Sequence, residues 1–284
     1  MRLALTGGTG FTGRHFRERA RAAGYIVHEV KANLLHTDVL REELHAIQPQ
    51  FVVHLAAISF VGHADPSDFY RVNVVGTTNL LDALNTLAQR PKKVLLASSA
   101  NVYGNSEHSP IAEGDPLAPV NHYAASKLAM EMVARSYAGR LPVFLVRPFN
   151  YTGPGQAENF IVPKLVSHFA RRASQVELGN LHVEREFNDV RFVCEAYLRL
   201  LEKAEAGDVY NICSGRPFSL QELIDQLSAL TGHSLDVAVN PAFVRRNEVH
   251  RLCGNPDKLF ASVGALDIPP LEDTLRWMLQ EYME

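Results

Sequence analysis

The chain has 284 residues, 46% of them apolar and 21% charged, with a formal net charge of −3. That is ordinary globular composition, long enough for one large or two closely joined domains. It carries no basic stripe of the kind that marks a nucleic-acid surface, and no run reaches the roughly 18–20 apolar residues that a membrane span needs. Three cysteines (Cys194, Cys213, Cys253) without a C-x-x-C pair argue against a disulfide framework or a zinc site. Met1 to Gly7 enter a strand-like run without a basic n-region and long apolar h-region, so the expected location is the cytoplasm.

In chain order, strand-like apolar runs fall at Arg2–Thr6, Tyr25–Val30, Phe51–His54, Lys93–Ser98 and Val143–Arg147. Helix-period stretches lie between them, at Thr12–Ala23, Val39–Ile47, Asp68–Leu87 and Tyr123–Tyr137. Parallel strands need a crossover, so short strands alternating with helices predict a doubly wound parallel α/β sheet of the Rossmann type. After Arg147 the chain is punctuated by Pro148, Gly153, Pro154, Gly155 and Pro163, and clean alternation stops. Val209–Cys213 again reads as a buried strand. The expected organisation is a dinucleotide-binding domain over 1–148 with a return strand near 186–213. A smaller, discontinuous C-terminal substrate domain takes 149–185 and 214–284.

The first turn is Gly7-Gly8-Thr9-Gly10-Phe11-Thr12-Gly13, with glycines at spacing G-x-x-G-x-x-G. In the strand–turn–helix context this suits a dinucleotide: glycines permit the tight turn and close backbone approach, and the helix N-terminus favours the pyrophosphate. An acid at the end of the second strand would bind a ribose 2′-hydroxyl. Lys31 stands there instead, and Arg14 follows the last glycine. Both cations suit a 2′-phosphate, so NADP(H) is expected; Glu29 leaves NAD(H) open if the register differs by two.

Tyr123 and Lys127 form Y-x-x-x-K, which on a helix places both side chains on one face. A free tyrosine has a pKa of about 10, and a neighbouring ammonium favours its phenolate. Upstream, Ser98 and Ser99 end the fourth strand, where a hydroxyl can reach a substrate carbonyl.

These pieces resemble the extended short-chain dehydrogenase/reductases, a nucleotide-sugar-modifying family, over nearly the whole chain. The similarity runs through Thr6–Gly13, His54-Leu55-Ala56-Ala57, Asn73-Val74-Val75-Gly76-Thr77, Ser98–Gly104, Tyr123–Lys127, Arg147-Pro148-Phe149-Asn150, Arg185-Glu186-Phe187 and Tyr210–Gly215. The resemblance implies a catalytic triad of Ser99, Tyr123 and Lys127, with Ser98 the alternative hydroxyl. It implies cofactor contacts from Gly7, Gly10, Phe11, Thr12, Gly13 and Arg14. Lys31, Asn33 and Leu34 would lie at the adenosine end, Leu55, Ala56 and Ala57 under the cofactor, and Lys127 on the nicotinamide ribose. Asn73 would be structural support.

The family's 4,6-dehydratases carry an acid after the triad hydroxyl. Here the run is Ser99-Ala100-Asn101, and asparagine has no carboxylate to act as a general base. That leaves a 4-ketoreductase or a 4-epimerase. The runs Arg147–Gln156 and Leu178–Val190 are most similar to the GDP-4-keto-6-deoxy-D-mannose reductases. By that resemblance Ser99, Asn150, Val162, Arg185, Arg245 and Glu248 would line a nucleotide-diphosphate-sugar site, the arginines facing the diphosphate. Phe192, where the family commonly has Asp, implies altered packing. A homodimer through Asp68–Leu87 and Tyr123–Tyr137 is implied too. A non-catalytic, cofactor-sensing role stands further off, since both tyrosine and lysine are present.

Overall fold

The computed structural model describes residues 1–181, 183–240 and 249–282. Its centre is a sheet of six strands: β1 (Arg2–Thr6), β2 (Ile26–Glu29), β3 (Phe51–His54), β4 (Lys93–Ala97), β5 (Val143–Pro148) and β10 (Val209–Ile212). The spatial order is β10-β5-β4-β3-β1-β2, and every neighbouring pair is parallel. The strands carry apolar residues at consecutive positions because both faces are covered. Leu3, Leu5, Val53, Leu95, Phe144 and Val146 enter one core, while Ala4, Val52, Val94, Leu96, Val143 and Leu145 enter the other.

Helices α1 (Phe11–Ala22) and α7 (Val190–Lys203) cover the first face, joined by α9 (Asp257–Val263). Helices α2 (Thr37–Ile47), α4 (Thr77–Asn85) and α5 (His122–Arg135) cover the second. Strand order reverses between β1 and β3, and ligands bind at the carboxyl ends of strands beside such a switch point.

The stretch read as one helix over Asp68–Leu87 is three pieces: α3 (Pro66–Tyr70), a wider π-helical turn over Arg71–Gly76, and α4. The bulge lets the buried Asn73 side chain reach two other elements. Its Nδ2 donates to Ile58 O (3.2 Å) and to Ser126 Oγ of α5 (3.0 Å), and its Oδ1 accepts from Ile58 N (3.0 Å).

A third core gathers α6 (Ile161–Ala170), α8 (Leu220–Thr231) and α10 (Leu271–Gln280). Small sheets flank it. Strand β7 (Gln175–Leu178) pairs with β12 (Asp236–Val239), and β8 (Glu184–Glu186) pairs with β11 (Pro217–Ser219) and β13 (Arg251–Leu252). Strand β6 (Tyr151–Thr152) pairs with β9 (Asn188–Asp189) between this region and the large sheet. Phe192 is 1% exposed and packs in the first core with Val190, Val193 and Tyr197. Its neighbour Asp189 caps α7 by accepting from Arg191 N at 2.7 Å. All three cysteines are buried free thiols. Among the described residues no helix is long and apolar enough to cross a membrane, and no cluster of His, Cys, Asp and Glu is placed to hold a metal.

Candidate active site

The carboxyl ends of β1, β3, β4 and β5 and the first turns of α1 and α5 converge on one region. The glycine loop is fitted closely. Gly7 has φ +71°, and a Cβ there would lie 2.6 Å from Ala56 N; one on Gly13 would lie 2.1 Å from Gly7 O. Gly10 caps α1 without any side-chain hydrogen bond, so the first N–H groups of the helix face the loop. That cradle fits a dinucleotide pyrophosphate. Phe11 stacks on Tyr151 (centroids 6.0 Å apart, 19° between planes), and Thr12 Oγ1 lies 2.7 Å from the Tyr151 hydroxyl. The cofactor loop is thereby tied to β6.

At the adenosine end, Lys31 and Asn33 are exposed. The Glu43 carboxylate of α2 accepts from Lys31 N (2.9 and 3.1 Å) and Ala32 N (2.7 Å), fixing the backbone at the end of β2. Asn33 Oδ1 accepts from Leu35 N at 2.9 Å in a tight turn, while Leu34 is buried in the second core. Glu29 sits against Gly8, its carboxylate paired with Arg17 at 2.7 Å. Arg14 reaches the other way, donating to Gly155 O at 2.8 Å. Leu55, Ala56 and Ala57 follow β3 half-buried, with Leu55 N and Ala56 N donating to Thr6 O and Thr6 Oγ1 at 3.2 and 3.3 Å.

Ser99, Tyr123 and Lys127 are brought together, only 5%, 8% and 5% exposed. Asn121 caps α5 by accepting from Ala124 N, which sets the first turn that carries Tyr123. Tyr123 lies close enough to Ser99 for the serine hydroxyl to act on its phenol, and Phe69 of α3 covers it at a ring distance of 6.0 Å. The two serines have different partners. Ser98 Oγ donates to Glu131 at 2.5 Å inside the protein, whereas Ser99 caps the short 3₁₀ turn Ala100–Tyr103 beside Tyr123. Lys127 Nζ donates to Ala97 O at 2.8 Å.

Burial dominates the electrostatics here. It pushes the Tyr123 phenol above its ordinary value, and the Ser99 hydroxyl pulls the other way. The lysine was expected to supply that downward pull. In the structure its ammonium is turned to the Ala97 carbonyl, and burial lowers it to about 8 against the opposing pull of Glu131. His54, buried between Thr6 Oγ1 (2.6 Å, Nδ1) and Thr77 Oγ1 (2.8 Å, Nε2), is lowered to about 3, by burial first and Lys127 second. Thr77 Oγ1 gives its own hydrogen to Asn73 O at 2.7 Å, so it must accept from Nε2–H, and Nδ1 accepts from Thr6. The neutral tautomer is fixed by that chain.

The residues read as substrate contacts are more scattered. Asn150 follows β5 half-buried, its carbonyl accepting from Asn188 N at 2.9 Å. Val162 is 2% exposed, inside the third core. Arg185 of β8 donates to Glu184 O (2.9 Å), to His250 O (3.2 Å) and to Val249 O. Arg245 and Glu248 lie outside the described residues, as does Arg246. Three residues beside the triad, Glu131, Arg147 and Tyr151, were not singled out as site residues from sequence, and Asn101 was read only for its missing carboxylate. Glu131 had a legible signal, standing at i+4 from Lys127 and i+8 from Tyr123 on one helical face.

The model of the NAD dependent epimerase/dehydratase family matches residues 3–213. The chain belongs to that family. The enzyme is thus a nicotinamide-dependent member of the extended short-chain dehydrogenase/reductases, as its motifs implied. It is 36% identical over 270 residues to the GDP-6-deoxy-D-talose 4-dehydrogenase of Aggregatibacter actinomycetemcomitans, covering 93% of this chain and 92% of the relative. To the GDP-6-deoxy-D-mannose reductase of Pseudomonas aeruginosa it is 35% identical, covering 99% and 97%. Among solved structures, RMD from Pseudomonas aeruginosa complexed with NADPH superposes with a TM-score of 0.90 at 34% identity, over 99% of this chain and 98% of the other. A Burkholderia cenocepacia J2315 protein described only as a candidate epimerase gives 0.93 at 47% identity, over 99% and 97%. The enzyme therefore shares its whole length with proteins that modify nucleotide-activated sugars.

Proposed function

We propose that the enzyme reduces the 4-keto group of a nucleotide-activated 6-deoxyhexulose, GDP-4-keto-6-deoxy-D-mannose, to a GDP-6-deoxyhexose, using NADPH. The observation that carries this reading is that Ser99, just after β4, and Tyr123, in the first turn of α5, are buried together. Two hydroxyls side by side can both donate to one carbonyl oxygen. Talose and mannose differ only in configuration at C4, so the two relatives' named sugars give the same 4-keto compound on oxidation. A reduced nicotinamide supplies the hydride. Tyr123 gives its proton to the sugar O4, Ser99 stabilises the developing oxyanion, and the Lys127 ammonium, anchored on Ala97 O, would hold the nicotinamide ribose. Asn101 leaves no carboxylate next to Ser99, which disfavours elimination of water.

NADPH is favoured because Lys31 is exposed at the end of β2 while Glu29 is engaged by Arg17. Arg14 supports this less, being turned to Gly155. Asn150, Arg185, Arg245 and Glu248 are proposed to line the nucleotide-sugar site, with Val162 supporting it from the core below. We place the enzyme in the cytoplasm as a homodimer through residues 68–87 and α5, a surface that leaves Tyr70 of α3, Val75 of the π-helical turn and Met132 of α5 exposed. Sedimentation at micromolar protein tests the dimer.

Mixing the enzyme with GDP-4-keto-6-deoxy-D-mannose and NADPH tests the reaction: stoichiometric loss of reduced nicotinamide is expected. The likeness to a candidate epimerase favours a second reading, a nucleotide-sugar 4-epimerase holding NAD tightly. Nicotinamide retained through purification, with no net oxidation, would select it.

A further inference from the structure

We propose that Asn101 is a positioning residue for the reduction: its hydrogen bonds to Ser99 Oγ leave the Ser99 hydroxyl able to act only as a donor, aimed at Tyr123 and the substrate ketone. This deepens the ketoreductase reading and rests on it.

The argument is one of valence. A serine hydroxyl has one hydrogen and two acceptor lone pairs. Ser99 Oγ accepts from Asn101 N at 3.2 Å and from Asn101 Nδ2 at 3.1 Å. Both lone pairs are thereby taken. Ser99 is 5% exposed, so solvent does not compete for them. The remaining hydrogen is left for the neighbouring Tyr123 oxygen and for a carbonyl bound between the two.

The two bonds differ in what they demand of the sequence. The backbone bond is the ordinary cap of the turn Ala100–Tyr103, and any residue but proline at 101 would supply it. The side-chain bond needs a donor at 101. Aspartate there has the same shape but only acceptors, so it would draw the Ser99 hydrogen to itself. The hydroxyl would then turn a lone pair toward the ketone oxygen, where the reaction needs a donor.

The test is a double-mutant cycle of Asn101→Asp and Ser99→Ala, assayed with the keto sugar and NADPH. Asn101→Asp is expected to lower kcat by about 10- to 100-fold, with KM and NADPH binding within about twofold of wild type. Added to Ser99→Ala it should produce no further loss, because its effect passes through the Ser99 hydroxyl. A near-wild-type kcat, or an equal loss with and without Ser99, would overturn the proposal.

A second readout needs no substrate, so that an inert keto sugar would sink the ketoreductase reading without deciding the role of Asn101. Tyr123 ionisation is followed by ultraviolet difference absorbance against Tyr123→Phe. The titratable groups around it are Lys127 on the same helix, Tyr151 of β6 and Tyr197 of α7, with His54 beyond Lys127. None of them changes in this series. Asn101→Asp should raise the Tyr123 midpoint by about one unit or more, and this rise should vanish in the Ser99→Ala background. A rise that persists there is a direct effect of the new charge and would contradict the assignment.

Discussion

Glu131 and Arg147 form a two-pronged ion pair, Nε to Oε1 at 2.9 Å and Nη2 to Oε2 at 2.7 Å, one helical turn beyond Lys127 and with side chains at most 1% exposed. Glu131 also takes the Ser98 hydroxyl, and Arg147 Nη1 donates to Tyr103 OH at 2.8 Å, which in turn donates to Asn211 Oδ1 at 2.8 Å. The pair ties α5, β4, β5 and β10 together directly beneath the triad.

Removing one partner leaves a buried charge uncompensated. Arg147→Met is expected to cost about 3–5 kcal/mol of stability, and Arg147→Met with Glu131→Leu to recover much of it. Urea unfolding of the three proteins checks this. Equal stability of Arg147→Met and wild type would contradict the assigned weight of the pair.

Lys127 sets a pH limit. Burial lowers its ammonium to about 8 while Glu131 holds it up. The kcat of reduction should therefore fall on the alkaline side near that pH, as the buried charge of the triad is lost. Glu131→Gln removes the supporting charge and should move the alkaline limb to lower pH. A limb that stays in place would show that another group governs it.

His54 makes the fold acid-sensitive. Its folded value is about 3 against 6.5 for the free side chain, so the unfolded chain binds the extra proton between those values. Stability conferred by neutral His54 is full above about 6.5 and is lost as pH falls through the window, at up to about 1.4 kcal/mol per unit. At pH 4.5 this amounts to about 3 kcal/mol. His54→Gln should start less stable at pH 7 but lose less on acidification. Parallel acid limbs for the two proteins would refute the assignment.

Lys31 is proposed to read the 2′-phosphate. Lys31→Asp should raise KM for NADPH by tenfold or more, on the order of the loss of one charged contact, and improve use of NADH. Steady-state kinetics with both cofactors decides it, and an unchanged NADPH/NADH ratio would remove Lys31 from the site.

The large sheet was legible because each of its strands is a contiguous apolar run, buried on both faces. Val209–Cys213 was recognisable for the same reason, and β10 duly joins β5. The continuous helix expected over Asp68–Leu87 failed at Arg71–Gly76, because hydrophobic periodicity does not register a tertiary demand such as Asn73 reaching Ile58 and Ser126. The region after Pro148 was less legible for another reason. Strands of two or three residues, such as β6, β9 and β13, carry no period, and their partners are distant in sequence, as where Leu252 pairs with Arg185. Motif spacing brought Ser99, Tyr123 and Lys127 into view. It could not show that Lys127 turns to Ala97 O, or that Arg14 turns to Gly155 O, since each depends on a carbonyl supplied by another element.

The central claim is tested most directly by single-turnover reduction of GDP-4-keto-6-deoxy-D-mannose with NADPH, comparing wild type and Tyr123→Phe. The expected result is rapid stoichiometric oxidation by wild type and a fall of at least about 10²- to 10⁴-fold in the variant, with its NADPH affinity unchanged. Near-wild-type turnover by Tyr123→Phe, or no oxidation by a wild-type enzyme that binds NADPH, would contradict it.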